Sequence, residues 1–93
     1  MKKNITLTIN GDDIRFEVDN DDYNKFVNEM QPTSKVAPAQ NFLMRTVVAD
    51  DKDALKKLLE LPGAGIDIVG NLVQEYTPAL SITVGKSSVP PSE

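Results

Sequence analysis

KVAPAQNFLMRTVV, residues 35–48, is the stretch around which the rest of this sequence can be arranged. Pro38 can open a helix there, because its missing N–H is one that the first helical turn leaves unpaired anyway. The positions that follow at spacings of three and four predict one face of an amphipathic helix, and they are Ala39, Phe42, Leu43, Thr46 and Val47. Met44 and Val48 lie roughly 100° beyond that face. The helix therefore needs cover on a second side, from its own domain or from a partner.

Two segments of alternating polarity come before this helix. Residues 5–9, ITLTI, and residues 14–18, IRFEV, each predict a strand with one apolar face. Between them Asn10 and Gly11 are typical of a tight hairpin turn. The two apolar faces coincide only if Leu7 lies opposite Ile14 or Phe16, which requires a loop of two or four residues.

Helices are expected on both sides of the central one. Residues 19–22 are rich in aspartate and predict the capped start of a helix that ends before Pro32. Asp50 and Asp53 have the capping-box spacing of a further helix, which residues 61–63, LPG, bring to an end. A last helix over residues 64–76 carries apolar side chains over an arc of roughly 160°, and we expect it to be the most deeply buried helix. Gly70 in its middle costs about 1 kcal/mol relative to alanine, which the close approach of a neighbouring backbone would explain.

Residues 80–84, LSITV, alternate once more and predict a third strand. The sequence thus predicts an α+β fold of order ββ-αααα-β, in which a three-stranded antiparallel sheet carries the helices on one face. The residues expected on the solvent-exposed face of the sheet are Thr6, Thr8, Arg15, Glu17, Ser81 and Thr83. We expect residues 1–85 to form a single domain and residues 86–93, KSSVPPSE, to form a disordered C-terminal tail.

The composition argues against enzyme activity, nucleic-acid binding and membrane insertion. The 93 residues include no cysteine and no histidine, which removes thiolate metal sites, cysteine nucleophiles and the commonest general base. We therefore expect no enzyme activity and no catalytic, cofactor or metal site. A net charge of −4 disfavours binding to phosphate backbones, and no apolar run approaches the ~18 residues of a membrane span. The N-terminus also lacks a signal-peptide core, so the expected location is the cytoplasm.

The aspartate clusters permit a different interpretation, as metal sites. A calcium loop counted from Asp19 fails, because Asn24 stands where glycine is needed and Met30 where a bidentate glutamate is needed. Asp50, Asp51 and Asp53 could form a carboxylate cluster, but their position at a helix start favours a structural role.

Five segments, read in order, resemble the small tail assembly chaperones of long-tailed phages and prophages. They are ITLTINGDD, DYNKFVNEM, KVAPAQNFLMRTVV, DKDALKKLLELPGA and EYTPALSITV, and together they run from about residue 3 to residue 85. The most specific piece is VAPA at 36–39 with NFLMR at 41–45. The resemblance implies a non-enzymatic helper that binds the tape measure protein, tail tube subunits or both in the host cytoplasm. It also implies a protein that is absent from the finished virion.

The alternative within the same setting is a structural virion component, such as a small tail tube or tail completion protein. Such proteins are also small α+β domains, and mass spectrometry of purified particles would separate the two functions.

The candidate partner-binding residues are Met44 and Val48 on the second side of the central helix, Arg45 beside them, and Phe42. Methionine suits adaptable apolar contact, and Arg45 would add charge beside the apolar strip. The alternative, which is the commoner role of such residues, is that they do no more than pack under the last helix. An exposed sheet edge could in addition support a homo-oligomer.

Overall fold

A computed structural model describes residues 2–78 and 80–85 of the chain. In these residues a β-hairpin precedes a series of helices, and a short 3-10 turn at Ala49–Asp51 leads into the third of them. The elements are β1 (Lys3–Ile9), β2 (Asp12–Val18), α1 (Asn20–Glu29), α2 (Val36–Thr46), α3 (Lys52–Leu58) and α4 (Ala64–Tyr76).

The hairpin has the register that its apolar pattern demands. Leu7 lies opposite Ile14, and the two-residue turn places Asn10 at φ 51° and Gly11 at φ 87°. Positive φ at both central residues is the conformation that Asn-Gly supplies in type I′ turns. The apolar side chains of β2 are buried, whereas the polar side chains of both strands predicted on the solvent-exposed face are exposed. The predicted hairpin is therefore confirmed, with the shorter of the two loops.

α1 begins as its sequence predicts. Asp19 is the N-cap residue, and its carboxylate accepts a hydrogen bond of 2.8 Å from the Asp22 backbone N–H. That backbone hydrogen bond is the main reason why the pKa of Asp19 lies below its ordinary value.

α2, rather than α4, is the centre of the molecule. Its predicted inner face is buried, and it packs against α1, α4 and β2. Pro38 stands in its first turn, where no intrahelical donor is lost. The expectation that α4 is the most deeply buried helix is wrong, because Ile66 is exposed and Val73 is only half-buried.

The predicted three-stranded sheet is wrong, although the fold is α+β. The described residues form a two-stranded sheet of β1 and β2, and residues 80–85 adopt no regular structure. Leu80 and Ile82 are 71% and 80% exposed. The segment after α2 contacts β2 instead, since the Val48 N–H donates to the Arg15 carbonyl at 3.0 Å and Val47 forms a bridge with Phe16. The tail predicted at residues 86–93 lies outside the described residues.

Candidate functional site

The predicted partner-binding residues lie in three different environments. Phe42 is fully buried, and its ring stacks on Phe26 of α1 at a centroid distance of 4.9 Å. Met44 is half-buried and packs against the core. The domain itself therefore supplies part of the cover that the second side of α2 was expected to need.

Arg45 and Val48 point to different neighbours. The Arg45 guanidinium donates to the Asp22 carboxylate at 3.3 Å and to the Asp22 carbonyl at 3.2 Å, which ties the end of α2 to the start of α1. Val48 lies beyond the end of α2 and is held against β2 through its backbone. Arg45 and Phe42 therefore both contact α1, whereas Val48 lies against β2. Whether Phe42, Met44, Arg45 and Val48 contact a partner stays a prediction.

A polar cluster that the sequence did not reveal joins β2 to the start of α3. The Asp51 carboxylate accepts hydrogen bonds from the Arg15 guanidinium at 2.9 and 3.3 Å and from the Arg15 backbone N–H at 2.9 Å. The side-chain bond from Arg15 is the main cause that holds the pKa of Asp51 below its ordinary value. Asp50 is more distant, at 3.9 Å from the same guanidinium. The Asp51 carboxylate is therefore structural. It binds Arg15 of β2 and makes no capping hydrogen bond to α3.

An apolar groove of about 360 Å³ lies between α1 and α4. It is lined by Phe26, Met30, Lys35, Ile66, Val69, Gly70 and Val73. Met30 and Ile66 are 39% and 42% exposed, so apolar surface stays open to solvent here. Four other grooves on the described surface are each lined by at least two polar or charged side chains. Exposed apolar surface of this kind is typical of a site for protein contact.

The sequence did contain a signal for this groove. A helix that packs one face on a core needs an apolar stripe of little more than about 100°, and the apolar residues of α4 span far more than that. The apolar residues of α4 that lie beyond the core-facing stripe are Ile66 and Val73, and both line the groove. The wide arc predicts deep burial, whereas in the structure it includes a second apolar surface that is open to solvent.

Within residues 2–78 and 80–85, no group of three or more metal-ligating side chains could hold a metal ion. The helices in this part of the chain are all too short or too polar to cross a bilayer.

Comparison with known proteins identifies the family. A family model described as phage tail assembly chaperone matches residues 5–86. An uncharacterized 11.3 kDa protein in the lys 3′ region of Haemophilus phage HP1 (strain HP1c1) is 27% identical over 84 residues, which cover 90% of this chain and 82% of that protein. No solved structure matches significantly. Because the family match spans almost the whole chain, the chain belongs to the phage tail assembly chaperones, as the resemblance implied.

Proposed function

We propose that this phage tail assembly chaperone binds the tape measure protein, tail tube subunits or both while the tail is built, and that it catalyses no reaction. Membership of the family, over residues 5–86, is the observation that carries the proposal. The proposed place of action is the host cytoplasm, and the protein is proposed to be absent from the finished particle.

The surface of the chain supports a binding function. A chaperone that holds an aggregation-prone partner needs exposed apolar surface for reversible contact and enough charge to keep the complex soluble. The groove between α1 and α4 supplies the apolar surface, and the net charge of −4 supplies the second requirement. The predicted contacts Met44, Arg45 and Val48 are retained as a separate candidate surface.

Co-expression tests the function directly. The tape measure protein of the phage or prophage that carries this chain is expressed alone, with the chain, and with an unrelated acidic protein of similar size as the control. The proposal expects more soluble tape measure protein with this chain than with the control, and a complex of the two on size exclusion. If solubility is the same with both, and the tail tube protein also fails to bind, the chaperone function is wrong.

Mass spectrometry of purified phage particles tests the second part. The peptides of this chain are expected to be absent from particles and present in the lysate of producing cells. Stoichiometric recovery from particles would favour the structural virion component instead.

A further inference from the structure

No contact within the described residues explains why a glycine stands at position 70. It lies in the middle of α4 and is exposed, and a Cβ built on it would meet no atom within 4 Å. Gly65, in the first turn of the same helix, differs, because its Cβ would lie 3.3 Å from the Gln40 side chain of α2. The close approach expected at Gly70 is therefore not made by any described residue of this chain. The open space above Gly70 belongs to the groove.

The groove has a shape that fits a bound helix. Tyr23 near the start of α1 packs on Tyr76 at the end of α4, with ring centroids 5.7 Å apart, and Met30 just after α1 lines the groove together with Ile66 near the start of α4. The two helices therefore run in opposite directions. Both helices rest on α2, which leaves a channel between them along Phe26 and Val73. A helix bound in such a channel contacts both α1 and α4. A glycine on α4 lets the backbone of the bound helix approach the backbone of α4 closely. The volume of about 360 Å³ is roughly that of two ring-sized side chains, since a cavity of ~150 Å³ holds one benzene.

One charge lies in this apolar lining. Lys35 precedes α2 and lines the groove, and its side chain forms no ion pair or hydrogen bond with any described residue. An unpaired ammonium group beside an apolar floor favours a carboxylate on the occupant.

We propose that this groove binds an amphipathic α-helix of the assembly partner, whose apolar side faces Val69, Gly70 and Val73 and whose carboxylate faces Lys35. The proposal rests on the proposed function, because it names the kind of partner segment that the chaperone holds. It assigns the contact to a surface other than Met44 and Val48.

A second copy of this chain is a poor occupant. Its described helices bury their apolar faces in their own core, and the large apolar residues that these helices leave exposed are Val27, Val36 and Ile66, one on each of three helices, so no described helix presents a continuous apolar stripe to a second copy. A helix from another protein can present a continuous apolar stripe to the groove.

The first experiment uses a designed probe. A fluorescent peptide of about four helical turns carries leucines at spacings of three and four and a glutamate near one end, and a scrambled peptide of the same composition is the control. Anisotropy should show binding of the amphipathic peptide alone. Gly70→Leu should weaken it by about tenfold or more, because the new side chain fills the groove.

Matched variants separate the groove from general effects. Asn28→Leu adds the same side chain about 200° around α1 from the groove residue Phe26, at an exposed position, and should bind as the wild type does. Lys35→Glu should weaken binding of the glutamate peptide and improve binding of a lysine version, whereas Lys25→Glu, with the same net charge, should do neither. Circular dichroism confirms that each variant is folded.

The outcomes distinguish this proposal from the proposed function. If the wild type ignores the amphipathic peptide, or if Gly70→Leu binds it unchanged, the groove is not a helix site. If Gly70→Leu keeps the tape measure protein soluble as well as the wild type does, the chaperone function stands and the groove assignment is wrong. If peptide binding depends on the groove but the tape measure and tube proteins are not bound, the function is wrong and the helix site stands. A wild-type dimer that Gly70→Leu dissociates would make a second copy the occupant.

Discussion

Replacing Gly70 by alanine should stabilise the folded chain. Gly70 lies inside α4 and is not among the glycines with positive φ, so alanine fits its backbone conformation. The added methyl group meets no atom within 4 Å, and no packing cost offsets the gain in helix propensity. The full difference between the two residues, about 1 kcal/mol, should therefore appear in the free energy of unfolding. For a domain of this size that corresponds to a rise in Tm of about 4–8 °C, measured by circular dichroism.

Gly65→Ala is the matched control within the same helix. Its new methyl group would lie 3.3 Å from Gln40 Cγ and 3.6 Å from Leu59 Cδ2. Crowding there should cancel part or all of the propensity gain, so the rise in Tm should be smaller than at Gly70, or negative. A lower Tm for Gly70→Ala would show that the space above Gly70 is not open, and the groove would then have no room for a helix beside α4.

Three further predictions follow from the same structure. Phe42→Ala should lower the free energy of unfolding in urea by about 3–5 kcal/mol, because Phe42 is fully buried on Phe26; a loss under 1 kcal/mol would contradict that placement. Ionised Asp51 stabilises the fold above the ordinary aspartate pKa of about 3.9, because its pKa is lowered in the folded chain, and this contribution is lost as the pH falls below that value. Asp51→Asn should therefore lower the Tm at pH 7 and reduce the fall of Tm in acid more than Asp50→Asn does, and equal effects of the two variants would contradict the role of the Arg15 bond. Changing the exposed apolar residues Leu80, Ile82 and Val84 to serine should shift the free energy of unfolding by less than about 0.5 kcal/mol, whereas a third strand would lose several times more.

The parts of the fold that the sequence predicted correctly depend on neighbouring residues. The turn at Asn10 and Gly11 and the alternation of the two strands fix the hairpin register. Asp19 reaches a backbone N–H only three residues away. The spacing along α2 selects its buried face without reference to any other element. Each of these signals acts within one or two helical turns, so the sequence alone is sufficient to interpret it.

The incorrect or missing predictions concern contacts between segments that are far apart in the sequence. Residues 80–84 alternate as a strand does, but alternation does not tell whether a sheet edge is available to them. In the structure the backbone of Val48 bonds to β2 instead. The contact between Arg15 and Asp51 joins residues 36 positions apart, for which no local spacing exists. Strand pairing and long-range ion pairs therefore need the whole fold before they can be assigned.

The groove shows how an exposed apolar surface differs from a core in a sequence of this size. Both are built from the same apolar residue types, so composition does not separate them, and the wide apolar arc of α4 by itself predicts burial. What separates them is geometry, since Ile68 and Leu72 are buried while Ile66 on the same helix stays open to solvent. Gly70 adds the decisive contrast, because a helix that only needed stability would gain about 1 kcal/mol from alanine at an open position. Glycine at this position leaves the groove open, which is the space that the proposed partner helix would need.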